Sequence, residues 1–240
     1  MNAQNFVQDI VRFSQTNLEL KWLDGRNPGC DWDGGHYALP GTPRPLSVSK
    51  VEARFLANFV VLQEALTVLE IGTAFGYSTS WLAFGVSNVG TGGLVLTIDD
   101  YSEGAKPALT RDTAIALWDA TGASDFIEMR HGRSPEIFSH QSFPEIDLAF
   151  IDGEHRNQQP LADYNKIQPL LSPDGVLVFH DAQSKYDVES AVSAAISDGY
   201  KILRLGTSCE AAVGLRKGRQ VYNAETALRL ARNGLLIGRG

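Results

Sequence analysis

The stretch TVLEIGTAFGYS, residues 67–78, decides how this 240-residue chain folds. It begins as an apolar run typical of a buried strand and passes into a loop with glycines at positions 72 and 76. Four further strand-like runs follow at 94–98, 126–130, 146–151 and 175–179. Strands that are apolar almost throughout are typical of a parallel sheet covered by helices on both faces. The sequence therefore predicts an α/β fold with an open, mostly parallel sheet.

The segments around these strands supply helices and a closing hairpin. Helical patterns lie near residues 78–88, 106–121, 134–139, 160–171, 187–198 and 223–234. Residues 200–205 and 210–215 are typical of a hairpin, so we expect one antiparallel strand near the C-terminus. Ser49 and Glu52 have the spacing of a capping box, which predicts that another helix begins there.

The first 46 residues differ in character from the rest. An amphipathic helical pattern covers roughly the first 20 residues, whereas residues 22–46 are rich in glycine, proline and aspartate. Such a stretch is typical of a lid, in which Trp22, Trp32 and Tyr37 would close over a ligand, or of a surface wrap over the core. We predict an N-terminal helix and lid-like loop over residues 1–46. The main domain would occupy residues 47–240, in a single globular unit overall.

Composition narrows the classes of partner. The chain has 28 acidic and 21 basic side chains, a formal charge of −7, which argues against general nucleic-acid binding. No apolar run approaches the roughly 20 residues that span a membrane, and we expect no membrane partner. The first residues lack the pattern of a secretory signal, so we expect a cytoplasmic protein. The N-terminal helix and the basic C-terminal segment are candidate contacts of a homodimer.

Polar residues stand where the predicted strands end. In open α/β sheets, ligands bind beyond the carboxyl ends of the strands. The dinucleotide fingerprint needs glycine where this chain has Ala74 and Tyr77, which disfavours an NAD site. Asp99 ends the second strand and can accept hydrogen bonds from both ribose hydroxyls of an adenosine group. Glu70 lies near the same loop and suits an ammonium group, or else caps backbone N–H groups.

Five segments, most of them at the strand ends, carry a family resemblance. They are LEIGTAFGYSTSWLA (69–83), LTIDD (96–100), HGRSPEIF (131–138), IDGEH (151–155) and LLSPDGVLVFHDA (170–182). Together they resemble the class I S-adenosylmethionine-dependent methyltransferases, in the small-molecule O-methyltransferase group of the catechol and caffeoyl-CoA type. The closer resemblance is to bacterial natural-product enzymes related to the macrocin O-methyltransferases. It covers about residues 46–215 and implies a Rossmann-like sheet with S-adenosylmethionine as the methyl donor.

The resemblance also implies which residues bind the methyl donor. The implied contacts are Gly72 and Gly76 in the loop, Ser78 for the methionine carboxylate, Asp99 for the ribose, Val48 through its backbone, and Arg133 and Ser134 beside the adenine. A carboxylate at Ser78 would also benefit from the positive end of the helix dipole.

Four residues match the metal and base positions of the family. Asp152, His180 and Asp181 lie where metal-dependent members place their divalent-ion ligands, and His155 lies where catechol-type enzymes keep a lysine base. The family pattern at the fifth strand is Asp-Asn, whereas this chain has His180-Asp181. Mg²⁺ prefers oxygen ligands, so this histidine weakens a Mg²⁺ site or favours Mn²⁺, Fe²⁺ or Zn²⁺. Alternatively no metal binds, and the pair serves in acid–base chemistry and hydrogen bonding.

These residues predict an enzyme that methylates a hydroxyl group of a small metabolite, as in natural-product biosynthesis. Asp152 and His155 would be the catalytic residues, with a divalent metal assisting, because an alcohol or phenol is a weak nucleophile while protonated. The alternatives are a metal-independent N- or O-methyltransferase, and a protein that binds S-adenosylmethionine without catalysis.

Overall fold

The computed structural model describes residues 1–16, 21–23, 36–38, 48–102, 107–183, 186–207 and 210–238. The elements in these ranges are α1 Ala3–Thr16, β1 Lys21–Leu23, β2 His36–Ala38, α2 Lys50–Gln63, β3 Thr67–Ile71, α3 Tyr77–Val89, β4 Leu94–Asp99, α4 Pro107–Thr121, β5 Ile127–His131, α5 Ser134–His140, β6 Ile146–Ile151, α6 Gln159–Ile167, β7 Leu171–Phe179, α7 Val188–Ser197, β8 Lys201–Arg204, β9 Ala212–Leu215 and α8 Gly218–Arg232. Within the described ranges, no helix combines the length and apolar character needed to cross a membrane.

A seven-stranded sheet forms the centre of the molecule. Its strand order is β5-β4-β3-β6-β7-β9-β8. The first five strands in this order pair in parallel, and β9 pairs antiparallel with both β7 and β8. The chain leaves β3 for β4 on one side and later returns to β6 on the other. This reversal at β3 and β6 is where an open α/β sheet has its ligand crevice.

Two apolar layers sandwich the sheet, one on each face. One buries side chains of α1, α2, α3, α4 and α8. The other buries side chains of α6 and α7 together with Ile137 of α5. Phe6 of α1 shows how the first layer closes, since its ring meets Trp81 edge-on at 5.1 Å and stacks on Phe84 at 4.8 Å. Such aromatic pairs contribute about 0.5–1.5 kcal/mol each beyond burial. The predicted sheet, its antiparallel strand and helices on both faces are confirmed.

The strand β7 begins earlier than its pattern predicts. Residues 175–179 were expected, whereas the strand spans Leu171–Phe179. Leu171 pairs with Ile146 and Val176 with Leu148, so the register shifts between these two pairs. Pro173 cannot donate to a ladder and Gly175 weakens a strand, which explains why the pattern showed only the second part.

The N-terminal region is described in part. The helix α1 spans Ala3–Thr16, and the last residues of the predicted helix, 17–20, lie outside the described residues. Residues 21–23 and 36–38, which fall mostly in the turn-rich stretch, pair as the antiparallel strands β1 and β2, with Trp22 opposite Tyr37. The remainder of the predicted lid, including Trp32, lies outside the described residues. The division at residue 46 stays a prediction.

Basic side chains of the C-terminal helix, and of the residue before it, contact the rest of the domain. Lys217 pairs with Asp174, Arg219 lies 3.4 Å from Glu64, and Arg232 donates to the carbonyl oxygen of Leu205. The helix begins at Gly218, five residues before the predicted start, because the Gln220 side chain accepts hydrogen bonds from the N–H groups of residues 216 and 217.

Candidate active site

Backbone hydrogen bonds continue one residue beyond the central strands and place the residues of the candidate site. Gly72 donates to the carbonyl oxygen of Ile98 at 2.9 Å, and Asp152 donates to that of Ile71 at 2.9 Å. His180 donates to the carbonyl oxygen of Ile151 at 3.0 Å. The glycine loop, the end of β6 and the end of β7 are therefore held side by side at the carboxyl edge of the sheet.

Two carboxylates and two imidazoles converge at this edge. Asp152, His155, His180 and Asp181 each offer one ligand atom, and these atoms all lie within 4.8 Å of one another. His180 Nδ1 is 2.7 Å from Asp152 Oδ1 and 3.7 Å from Asp181 Oδ2. His155 Nε2 is 3.4 Å and 3.6 Å from the same two oxygens.

The donors of this cluster fit a divalent ion. Metal–ligand bonds of about 2.0–2.2 Å from a shared ion span separations of this size. The Nε2 atom of His155 is buried and makes no hydrogen bond of good geometry with the described residues. The predicted ligands, one nitrogen from His180 and two oxygens from Asp152 and Asp181, suit a borderline ion better than Mg²⁺. The structure thus brings the predicted metal residues together, and the predicted base His155 lies among them.

Burial and mutual charge set the protonation of the cluster. Burial raises the pKa of Asp152, but the neighbouring His180 and His155 outweigh it and hold this pKa below its usual value. Burial lowers the pKa of His155, yet contact with Asp152 and the charge of Asp181 raise it overall. Burial raises the pKa of Asp181, against the opposing effect of His180. The carboxylates and imidazoles therefore shift one another's pKa values inside a largely buried site.

Neighbouring residues hold the two ends of the cluster. Asp181 adopts a left-handed backbone conformation with φ of 50°, which aspartate tolerates better than most residues. The ring of Tyr186 lies 5.4 Å from that of His155, and the N–H of Asp187 donates to the carbonyl oxygen of His155. The segment after β7 therefore packs against the loop after β6.

Glu70 lies inside the glycine loop and is fully buried. Its carboxylate accepts hydrogen bonds from the hydroxyls of Ser78, Thr79 and Thr97 at 2.5–2.6 Å. Burial raises the pKa of Glu70 to about 7 against these three donors. The carboxylate therefore binds side-chain hydroxyls of α3 and β4, and the Ser78 hydroxyl faces inward.

We expect the substitution Glu70→Gln to remove a pH-dependent loss of stability. A glutamate with a pKa near 4.5 unfolded and about 7 folded binds its proton more tightly in the folded state. Its stabilising effect is complete below pH 4.5 and is lost as the pH rises through 7. The loss is about 3 kcal/mol at 1.36 kcal/mol per pKa unit. Between pH 4.5 and 7.5, the free energy of unfolding measured with urea should therefore fall by about 3 kcal/mol more for wild type than for Glu70→Gln.

The control for this experiment is Glu64→Gln, because Glu64 is an exposed glutamate at the end of α2. Its unfolding free energy should follow that of wild type across the same pH range. If the unfolding free energies of Glu70→Gln and wild type changed in parallel with pH, the raised pKa of Glu70 would be contradicted.

Asp99 lies at the end of β4, next to the glycine loop. Its Oδ2 atom accepts hydrogen bonds from the N–H groups of Thr73 and Ala74, both at 2.8 Å, and Oδ1 accepts one from Tyr101 at 2.6 Å. A carboxylate has about four lone-pair sites, so these three bonds leave capacity for a ligand hydroxyl. Asp99 therefore binds the loop to β4 at the position predicted to hold the ribose.

The remaining predicted cofactor residues surround this loop. Val48 is buried in the core and precedes the start of α2. Gly76 is the N-cap of α3 and, as a glycine, offers no side chain to the first turn of the helix. Arg133 lies 3.9 Å from Asp100, whereas the Ser134 hydroxyl donates to Asp163 at 2.5 Å. The backbone at Ser134, and not its hydroxyl, is therefore available at this edge.

One site residue was missed by the sequence interpretation. Glu52 was noted only as half of a capping box, which the structure confirms. Its Oε2 atom also lies 3.6 Å from His180 Nε2, and the side chain is 2% exposed. Burial raises the pKa of Glu52, but its contacts with His180 and Thr207 hold the pKa far below its usual value. Nothing in the local pattern indicates that α2 reaches the end of β7.

Comparisons with known proteins match the same region. Residues 69–182 match the sequence family described as "Methyltransferase domain". The catechol O-methyltransferase of Niastella koreensis is 27% identical over 187 residues, which are 76% of this chain and 73% of that protein.

Two solved structures share the fold. An O-methyltransferase from Bacillus cereus, in complex with SAH, has a TM-score of 0.60 and 20% identity, covering 90% of this chain and 92% of that chain. An O-methyltransferase from Streptomyces achromogenes involved in tomaymycin synthesis, in complex with SAM, has a TM-score of 0.58 and 20% identity, covering 75% and 84%. The family match contains the glycine loop and the cluster of Asp152, His155, His180 and Asp181, whereas Val48 and Glu52 lie before it.

Proposed function

We propose that this chain is a class I S-adenosylmethionine-dependent methyltransferase that methylates a hydroxyl group of a small molecule with the help of a divalent metal and a histidine base. The observation that carries this proposal is the cluster of Asp152, His155, His180 and Asp181 beside the glycine loop. A protein that only bound the methyl donor would have no use for convergent acid, base and metal-binding groups.

The methyl donor would bind across the carboxyl ends of β3, β4 and β5. S-adenosylmethionine supplies a sulfonium methyl group that needs no activation by the protein. Asp99 would accept the ribose hydroxyls, and the N-terminus of α3 at Ser78 would face the methionine carboxylate. Gly72, Gly76 and the backbone at Val48, Arg133 and Ser134 would form the rest of the cradle, with Glu70 supporting it from inside.

Asp152, His180 and Asp181 would hold the metal ion. A divalent ion lowers the pKa of a bound hydroxyl and fixes its orientation. These three residues follow two adjacent strands, which would hold the metal site in place and let it align the acceptor with the methyl group. Alignment of the two reacting groups supplies much of the rate enhancement in such a displacement.

His155 would accept the proton of the acceptor hydroxyl. Its Nε2 atom faces the carboxylates of Asp152 and Asp181, so an acceptor oxygen bound by those residues is within its reach. The same carboxylates stabilise the charged imidazolium that results. The proton would therefore move to an imidazole that already has two carboxylate neighbours.

The proposal is tested by methyl transfer from labelled S-adenosylmethionine to a panel of catechols, phenols, alcohols and amines, with and without chelator. We expect product with hydroxylated acceptors, loss of activity with EDTA, and recovery on adding Mn²⁺ or Zn²⁺. SAH should raise the midpoint of thermal unfolding, whereas NAD should not. Turnover that persists in EDTA would contradict the metal, methylation restricted to amines would contradict O-methylation, and no stabilisation by SAH would contradict the methyl donor.

A further inference from the structure

The inner face of α2 brings a buried carboxylate to the back of the metal cluster. Glu52 Oε2 accepts a hydrogen bond from the N–H of Ser49 at 2.9 Å, and the side chain also bonds with Thr207 after β8. These two anchors fix the carboxylate at a point 3.6 Å from His180 Nε2. Glu52 therefore faces the active site from an element that carries none of the predicted metal ligands.

The imidazole of His180 lies between two carboxylates. Its Nδ1 atom points to Asp152, 2.7 Å away, and its Nε2 atom points to Glu52. The side chain is 6% exposed, and its ring meets Phe150 edge-on at 6.1 Å. Only Nδ1 lies near the other ligand atoms of the cluster, so the two nitrogens face different partners.

We propose that Glu52 is a positioning residue that accepts the Nε2–H of His180 and thereby directs the lone pair of Nδ1 to the metal. This inference rests on the metal-assisted function proposed above. A neutral imidazole carries its proton on one nitrogen, and the other nitrogen then serves as ligand. Histidines that bind metals usually donate their second N–H to such a carboxylate, which sets the tautomer and the ring orientation.

The test compares binding of Mn²⁺ to the SAH-saturated full chain by isothermal titration calorimetry. We expect the dissociation constant to rise about 10-fold in Glu52→Gln and up to about 100-fold in Glu52→Ala. Glutamine also completes a capping box, so the start of α2 survives in the first variant. Glutamine has nearly the same volume as glutamate. If Glu52→Gln loses Mn²⁺ affinity, but less than Glu52→Ala does, the side chain positions His180 and does not merely fill space.

The matched control is Ser49→Ala, which breaks the capping box and keeps the carboxylate. This variant should unfold at a lower temperature in chelator and bind Mn²⁺ like wild type. Equal losses of Mn²⁺ affinity in Ser49→Ala and Glu52→Gln would overturn the inference, since both would then reflect damage to the helix. Unchanged affinity in Glu52→Gln would also overturn it, while leaving methyl transfer by the wild-type enzyme intact.

The tautomer of His180 provides a second readout. In the ¹⁵N-labelled chain with Zn²⁺, NMR correlations should show metal at Nδ1 and a proton at Nε2 of His180. Metal bound through Nε2 would refute the inference even if the enzyme were fully active. Failure of the proposed function itself would appear separately, as absence of methyl transfer or of SAH binding.

Discussion

The substitution Asp152→Ala should lower the rate constant of methyl transfer by about 10³-fold or more and leave SAH binding nearly unchanged. Asp152 contributes to the proposed metal site and faces the proposed base, so its loss impairs both hydroxyl activation and proton transfer. Proton transfer alone contributes about 10²–10⁴-fold in enzymes. Its side chain lies on the metal side of the loop, whereas the nucleoside contacts are assigned to β4 and β5. Single-turnover kinetics and SAH calorimetry measure the two effects independently.

Asp147→Ala is the matched control, because Asp147 lies on the same strand at its opposite end. Its carboxylate accepts hydrogen bonds from the N–H groups of Leu66 and Thr67, both at 3.0 Å. That variant should be less stable by about 1–3 kcal/mol, the cost of leaving partners unsatisfied, but should retain its rate constant. Equal rate constants for Asp152→Ala and Asp147→Ala would refute the assigned role of Asp152.

The substitution Gly72→Ala should abolish SAH binding and lower the free energy of unfolding by about 3–5 kcal/mol. Gly72 has a φ of 96°, and a Cβ there would lie 2.6 Å from the carbonyl carbon of Asp152. That atom belongs to the backbone at the end of β6 and cannot rotate away. The added methyl group must therefore separate β3 from β6 at the edge where the methyl donor and the metal would meet.

Gly92→Ala is the control variant, because it introduces the strain of a positive φ without a steric clash. Gly92 has a similar φ of 87°, and a Cβ there would meet nothing within 4 Å. We expect a loss of about 1–2 kcal/mol in unfolding free energy and normal SAH binding. The comparison uses urea unfolding and calorimetry. If Gly72→Ala bound SAH as well as Gly92→Ala does, the close packing of the loop on β6 would have no role in binding.

Much of the fold was predictable because its signals are local. The strands at 67–71 and 146–151 have the predicted bounds, since each is a short apolar run that ends at a glycine or an aspartate. Parallel strands share one carboxyl edge, so the residues after them had to meet. This rule predicts from the sequence that Asp152, His155 and His180 lie together.

The remaining features depend on contacts between distant segments. No local pattern shows that Glu52 reaches His180, because the two residues are 128 positions apart and belong to different elements. Likewise, the Ser134 hydroxyl turns to Asp163 of α6, and the Ser78 hydroxyl turns to Glu70. The family resemblance identified the two serines and the capping-box spacing identified Glu52, but only the packing of their neighbours decides which of their polar atoms face a ligand.

The glycines illustrate the same limit. Gly72 and Gly76 were predicted as cofactor contacts in the loop, whereas a Cβ at either position would meet the protein itself. At Gly76 it would lie 2.8 Å from Cε2 of Trp118, whose indole N–H donates to the carbonyl oxygen of Gly76 at 3.1 Å. The residues after β6 and the helix α4 therefore pack against the loop and fix its conformation.

The carboxylate of Asp99 joins two properties that natural selection would otherwise adjust separately. It fastens two amides of the glycine loop to β4 and would also grip the sugar of the methyl donor. A substitution at position 99 that weakened nucleoside binding would also remove the hydrogen bonds between Asp99 and the loop. Smaller changes in nucleoside affinity therefore have to come from other positions. Drift among descendants of this gene should therefore spare position 99 and accumulate instead around the adenine, where Arg133 is exposed.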